Sequence, residues 1–319
     1  MTLKKKIAIV LFNLGGPNSL KAVRPFLFNL FSDKAILRFP QPFRYLLAKF
    51  ISTSRTQKAI KIYEQMGGKS PLLENTIAQQ MALEESLGDQ NDEYRIFISM
   101  RYWHPLTEDA SQKVKDYGPD EIILLPLYPH YSTTTTESSF KEWYRLAKRF
   151  GIAAQTRQID CYPVDDLFIG AHAETIAPFY KKAATYGKVR ILFSAHSLPQ
   201  KIIDAGDPYQ QQTTQTVQAI IKKLGGEIDH VICYQSRVGP IKWLEPTTEA
   251  EIERAARDKV SLVVVPISFV SEHSETLVEL DKDYRHLAEK LGIPFYGRVP
   301  ALSNHPLFID CLKRLICGQ

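Results

Sequence analysis

The feature that most constrains the fold of this chain is an alternation. Short runs rich in β-branched and aliphatic residues recur between longer stretches with helical spacing. The runs are IAIVLFNL (7–14), RIFISM (95–100), EIILLPL (121–127), VRILFSA (189–195), HVICYQS (230–236) and SLVVVPIS (261–268). Each is apolar on both faces of an extended chain, which suits strands of a parallel sheet covered on both sides by helices. Between them, PLTEDASQKVKDYG (105–118), TESSFKEWYRLAKRFG (136–151), DPYQQQTTQTVQAIIKKLGG (207–226) and TTEAEIERAARDK (247–259) carry a helical period. Several open with Thr, Asp or Pro and close with Gly, residues that satisfy or terminate the ends of helices. Strand, helix and strand in succession predict an α/β fold with doubly wound parallel sheets flanked by helices.

A weak internal echo adds organisation to that pattern. LLPLYPHYSTTTTES (124–138) is similar to VVPISFVSEHSETL (264–277), and VLFNLGGP (10–17) to ILFSAHSLP (191–199). Two similar α/β domains explain both, and a chain of 319 residues has the length for them. We therefore expect an N-terminal domain over 1–157 and a C-terminal domain over 158–304, with a last helix over 305–319 packing back on the first. The first half carries an extra segment over 18–70, whose stretch FLFNLFSDKAILRFPQPFRYLLAKF (26–50) is aromatic and apolar. Its periodicity favours a core helix. The other meaning is a lip that touches a flat hydrophobic ligand or a membrane surface.

Charge narrows the partners. Lys+Arg number 40 against 35 Asp+Glu, and no long basic run interleaves with aromatics, so nucleic acid is not implied. Lys4-Lys5-Lys6 ahead of 7–14 has the charge order of a signal peptide, but Gly15-Gly16-Pro17 follows without a cleavage site, and a first strand is the expectation. No run reaches the length of a membrane helix. Cys161, Cys233, Cys311 and Cys317 show no CxxC spacing, which points to reduced thiols of a cytoplasmic protein rather than a zinc site.

In an open parallel sheet, ligands bind beyond the carboxyl ends of the strands. That rule selects Arg101-Tyr102-Trp103-His104, Tyr128-Pro129-His130-Tyr131, Ser194-Ala195-His196-Ser197, Gln235-Ser236-Arg237 and Phe269 to Glu275. Neither a phosphate-binding glycine loop nor a nucleophile elbow is present. What remains suits a large apolar ring, a metal and proton transfer. A helix opening near Ser274 sets Glu275, Glu279 and Asp283 at i, i+4 and i+8, a row of carboxylates that either faces solvent or handles a metal. His196 stands among small neighbours at a strand end, where a histidine serves as packing, ligand or base.

Six segments in order resemble the ferrochelatase family over nearly the whole chain: LGGPNSLKAVRPFLFNLFSD (14–33), RYWHPLTE (101–108), SAHSLP (194–199), GDPY (206–209), QSRVGPIKWLEP (235–246) and FVSEHSETLVELD (269–281). The resemblance implies two similar α/β domains with a porphyrin cleft between them, and an enzyme, a lyase-type chelatase, that inserts Fe²⁺ into protoporphyrin IX to give protohaem with release of two protons, the last step of haem biosynthesis. It implies His196 and Glu275 as the catalytic and metal pair, with Glu279 and Asp283 continuing the metal row. Leu14, Arg55, Tyr63, Ser70, Arg101, Tyr102, Tyr128, Trp243, Phe269 and His273 match positions that line the porphyrin site, with Arg55, Tyr63 and Ser70 at the propionates. The aromatic segment then reads as a porphyrin-holding lip. Ser54 stands where animal-type members often carry a second Arg, and no cysteine-rich tail follows, so no iron–sulfur cluster and no tightly bound cofactor are expected, Fe²⁺ being a substrate.

The implied arrangement puts His196 on one face of the ring and Glu275 on the other, with the division of proton and metal work left open. A monomer in the cytoplasm is the expectation, with peripheral contact at the inner membrane left open through the lip. The alternatives are a chelatase for coproporphyrin or another tetrapyrrole, and a tetrapyrrole carrier without catalysis.

Overall fold

Parallel strands cannot be joined by tight turns, so each new strand is reached through a crossover helix. In the computed structural model, which describes residues 4–318, this produces two four-stranded parallel sheets. The first contains β1 (Lys6–Asn13), β2 (Glu93–Met100), β3 (Glu121–Pro126) and β4 (Gln155–Gln158) in the order β2-β1-β3-β4. The second contains β5 (Val189–His196), β6 (His230–Gln235), β7 (Ser261–Pro266) and β8 (Tyr296–Arg298) in the order β6-β5-β7-β8. The two orders are the same, which is the physical basis of the internal echo: the paired segments start in β1 and β5, and in β3 and β7.

All six apolar runs form strands. Of the four edge strands, β2 and β6 carry apolar runs while β4 and β8 have none: their sequences are Gln-Thr-Arg-Gln and Tyr-Gly-Arg. Short, polar edges protect a sheet from pairing with other chains, and they carry little hydrophobic signal for the same reason.

The chain divides into two compact units, one made of the residues up to Cys161 together with those from Leu312 onwards, the other of Tyr162–Cys311. In the first, Phe12 of β1 meets Phe140 and Trp143 edge-on, with ring centres 5.7 and 6.4 Å apart. In the second, Leu192, Val264, Ile252, Leu280 and Tyr284 form the corresponding cluster. The helix Pro306–Cys317 passes from the second unit to the first at Leu312. Its end is tied within the first unit by Arg157 Nη1, which donates to Leu315 O at 3.0 Å.

The aromatic segment splits. Helix Val23–Ser32 buries Phe26 and Phe31, as a core helix does. Helix Phe43–Glu64 leaves Phe43, Leu46 and Phe50 mostly exposed, so the core reading fails there.

A second departure concerns the helix expected after Ser274. Residues Glu275–Asp283 form a π-helix, in which Tyr284 N–H reaches back to Glu279 O, and an α-helix over Tyr284–Lys290 continues it. Such wide turns are rare and gather at functional sites.

Candidate active site

The site is built where β5 and β6 end. His196 is the last residue of β5; its N–H donates to Ser268 Oγ at 3.1 Å and its carbonyl accepts from Tyr209 O–H at 2.9 Å. These two bonds fix its backbone and leave the ring directed by its own polar atoms. His196 Nδ1 lies 2.8 Å from Glu275 Oε2. The arrangement expected from the sequence, with a ring between these two side chains, is therefore corrected: a hydrogen-bonded pair has no room for a macrocycle between its members.

Ser236, just past β6, joins the pair to the next carboxylate. Its Oγ is 2.9 Å from Glu275 Oε2 and also bonds to Glu279 Oε2, while its N–H donates to Glu279 Oε1 at 3.0 Å. Gln235 Nε2 adds bonds to Glu279 Oε2 at 3.2 Å and to the Glu275 carbonyl at 3.3 Å, and Tyr284 O–H donates to Glu279 Oε1 at 3.1 Å. Gln235 is itself held by Ser194 Oγ, which donates to Oε1 at 2.7 Å. Ser236 adopts φ +64°, a left-handed conformation that costs a non-glycine residue energy and is held where the surroundings demand it.

One hydroxyl proton cannot serve two carboxylates at once. The close Glu275–Ser236–Glu279 contact is satisfied when Glu279 carries a proton and donates to Ser236, which donates to Glu275. The electrostatics agree. Burial raises the pKa of Glu279, and the Glu275 charge raises it further. Burial also works against ionised Glu275, but His196, by charge and by hydrogen bond, overcomes that and holds the carboxyl well below the usual range. His196 is pushed down by burial and lifted more strongly by Glu275, ending above its ordinary value. Like charges in contact thus separate into one ionised and one readily protonated group.

Phe269 stands 6.4 Å from the His196 ring, centre to centre, and 4.4 Å from His273. Burial lowers the pKa of His273, whose Nδ1 faces Ser271 O at 3.3 Å. Trp243 lies opposite Pro199 in an antiparallel bridge, so it is tied to the segment that follows His196. Asp283 does not join the cluster: it is exposed where the π-helix ends. Among the described residues, no group of three or more His, Cys, Asp or Glu forms a ready metal-ligand set. The centre is a pair with a third carboxylate one hydroxyl away.

The remaining candidates lie in the first unit. Arg101 pairs with Asp33 at 2.8 Å and donates from Nε to Ser138 Oγ at 2.8 Å. Tyr102 is buried, with its hydroxyl 2.9 Å from the same Asp33 carboxylate. Both side chains are thus engaged within the unit, with Arg101 also lining a cavity beside Asn29 and Asp33. Tyr63, Ser70 and Tyr128 are buried, and Leu14 and Arg55 are half-buried. Burial depresses the Arg55 pKa.

The sequence reading did not assign roles to Gln235, Ser236 or Asp33. Ser236 had a usable signal, since it follows directly on a strand end, but its bridging role depends on a helix from elsewhere in the chain.

The fold is that of a two-unit α/β chelatase. It is similar to SirB from Bacillus subtilis with Fe³⁺, at a TM-score of 0.58 and 11% identity over 99% of this chain and 95% of that one, and to the sirohydrochlorin chelatase SirB of Bacillus subtilis subspecies spizizenii in complex with cobalt, with TM-score 0.58 and 11% identity over 98% of this chain and 94% of that one. At that identity the likeness concerns the fold alone. The ferrochelatase family model matches residues 6–319. The ferrochelatase of Wolbachia sp. subsp. Drosophila simulans (strain wRi) is 55% identical over 97% of this chain and 98% of its own. That of Caulobacter vibrioides (strain NA1000 / CB15N) is 50% identical over 98% and 90%. The chain belongs to the ferrochelatase family.

Proposed function

We propose that His196 and Glu275, with Glu279 one hydroxyl away, form the centre at which this ferrochelatase exchanges Fe²⁺ for two pyrrole protons. As a member of the family the chain is a metal chelatase that inserts Fe²⁺ into protoporphyrin in haem synthesis. The observation that carries the assignment of residues is the direct bond between His196 Nδ1 and Glu275. With Glu275 ionised, the Nδ1 proton points at the carboxylate and Nε2 presents the imidazole lone pair, ready to take a pyrrole proton. The positive charge that appears on the ring is then stabilised by Glu275, as an oriented carboxylate stabilises a histidine base. Once Glu279 has released its own proton to solvent, the Glu275–Ser236–Glu279 chain, with its hydrogen bonds reversed, offers a route by which a pyrrole proton leaves towards Glu279, whose raised pKa suits a temporary acceptor. Imidazole nitrogen and carboxylate oxygen both bind Fe²⁺ and release it more readily than thiolate does, which suits a metal that is substrate rather than resident.

Porphyrin contact is assigned by family resemblance to Trp243, Phe269 and His273 in the second unit. In the first unit it is assigned to Leu14, Arg101, Tyr102 and Tyr128, and to Arg55, Tyr63 and Ser70 as partners of the propionates. Apolar walls would bend the ring, so that binding at its periphery helps expose the nitrogen lone pairs. Asp283, exposed beyond the row, is assigned to first capture of the metal. No iron–sulfur cluster and no tightly bound cofactor enter this reading, and a monomer suffices for it.

The test is porphyrin metallation followed by fluorescence. His196→Ala and Glu275→Gln are each expected to lower the rate by ~100-fold or more while porphyrin binding persists. Near-normal turnover in either variant overturns the assignment.

A cytoplasmic enzyme with peripheral membrane contact is the further reading favoured by Phe39, Phe43, Leu46 and Phe50, which are exposed together near Arg44 and Lys49. Apolar residues set among cations suit the interface of an anionic bilayer. Among the described residues no helix is long and apolar enough to cross a membrane.

A further inference from the structure

A nine-residue π-helix needs an outside restraint, because wide turns pack the backbone less well than α turns and ordinarily occur one at a time. The restraint here comes from β8. Arg298, only 9% exposed, sends Nη1 to Glu272 Oε1 just ahead of the π-helix and Nη2 to Asp281 Oδ2 near its end, the latter at 3.4 Å. Neither acidic residue depends on Arg298 alone. Glu272 also accepts from Ala301 N–H at 3.0 Å and from Thr276 Oγ1. Asp281 is held by Arg285 Nη2 at 2.6 Å, and Arg285 Nη1 donates to Tyr296 O at 2.9 Å. Tyr296 O–H in turn donates to Leu280 O at 2.5 Å. The edge strand therefore grips both ends of the segment that carries Glu275 and Glu279.

An α-helix advances about 1.5 Å per residue, and a π-helix advances less because each turn takes in more residues. The separation between the residues that bracket the segment therefore differs between the two helices. A rigid, planar guanidinium bound to both brackets selects one separation. We infer that Arg298 is a positioning residue that holds Glu275–Asp283 in π register by clamping Glu272 to Asp281, and thereby keeps Glu275 on His196 and both carboxylates on Ser236.

This inference rests on the assignment of Glu275 and Glu279 to metal handling, and it reaches a residue that touches neither substrate. The full-length enzyme is compared with Arg298→Lys, Arg298→Met and the double variant Glu272→Gln/Arg298→Met, using Zn²⁺ with protoporphyrin. Loss of the clamp is expected to raise the metal KM by about tenfold or more, the usual cost of removing a support behind a ligand. The porphyrin KM should stay unchanged, and Arg298→Lys should recover only part, since an ammonium cannot bridge both carboxylates in one plane. The double variant separates folding from positioning. It removes the carboxylate charge that Arg298→Met leaves without its cation and so regains stability, yet it still lacks the clamp. A double variant that is as stable as the parent but retains the raised metal KM supports the inference. A double variant that regains the parental metal KM along with its stability overturns it, and so does a wild-type metal KM in folded Arg298→Met. If Glu275→Gln is inactive while the Arg298 variants keep a normal metal KM, the clamp fails and the site assignment stands. If Glu275→Gln is active, the site assignment itself fails.

Discussion

His196 and Glu275 shift each other's protonation, Glu275 towards the anion and His196 towards the cation, and the consequence is measurable. Burial alone would lower the histidine pKa; the carboxylate reverses the direction. Glu275→Gln is therefore expected to drop the His196 pKa below its wild-type value, read by NMR titration of the imidazole, and an unchanged value would separate the two groups. The pair also links stability to pH. A raised histidine stabilises the fold below its ordinary value of 6.5 and loses that contribution as pH rises through the folded value. A depressed carboxylate stabilises above its ordinary value of 4.5 and loses the contribution as pH falls through its folded value. The pair's full contribution lies between those ordinary values. In turnover the requirement is different, because Nε2 accepts a proton only when the ring is neutral, so the rate should rise with pH through the raised His196 value.

Among elements, the two helices of the aromatic segment show how one compositional signal divides. Phe26 and Phe31 turn inward on Val23–Ser32, while Phe43, at 66% exposure, and Phe50, at 70%, turn outward on Phe43–Glu64. Exposed aromatics on a basic helix favour an anionic membrane surface. Phe43→Ser together with Phe50→Ser is expected to reduce co-sedimentation with vesicles containing anionic lipid several-fold, with turnover on soluble porphyrin retained. Wild-type protein that stays in the supernatant at low salt would remove the membrane reading. The π-helix is the other element that composition did not announce. Glu275 to Asp283 has acceptable α-helical spacing, and what makes the turn wide is contact with β8 and Ser236 rather than any residue within it.

At the scale of the molecule, each unit carries its own core under its own sheet. Phe12 lies fully buried against Phe140 and Trp143 in the first. Phe12→Ala should cost about 3–5 kcal/mol, read from the denaturant midpoint, and a small effect would mean that the β1 core repacks around the loss. The six strand runs, the repeated halves and the strand-end position of His196 were legible in the sequence because they follow from local pattern: continuous apolar runs, caps and the rule that sites gather at strand ends. Family membership was legible for another reason, the order of six motifs. The edge strands β4 and β8 were not, because both are short and polar and so carry no apolar run. Nor were the partners of the site residues. Arg101 on Asp33, Ser236 across two carboxylates and Arg298 across Glu272 and Asp281 join positions 68, 43 and 26 residues apart or nearer, and pairings of that kind depend on how the elements pack. By itself the sequence selected the residues proposed to carry the chemistry. Only the tertiary structure decided that His196 and Glu275 touch, because their contact joins the end of β5 to a helix beyond β7, and no local periodicity encodes a distance between separate elements.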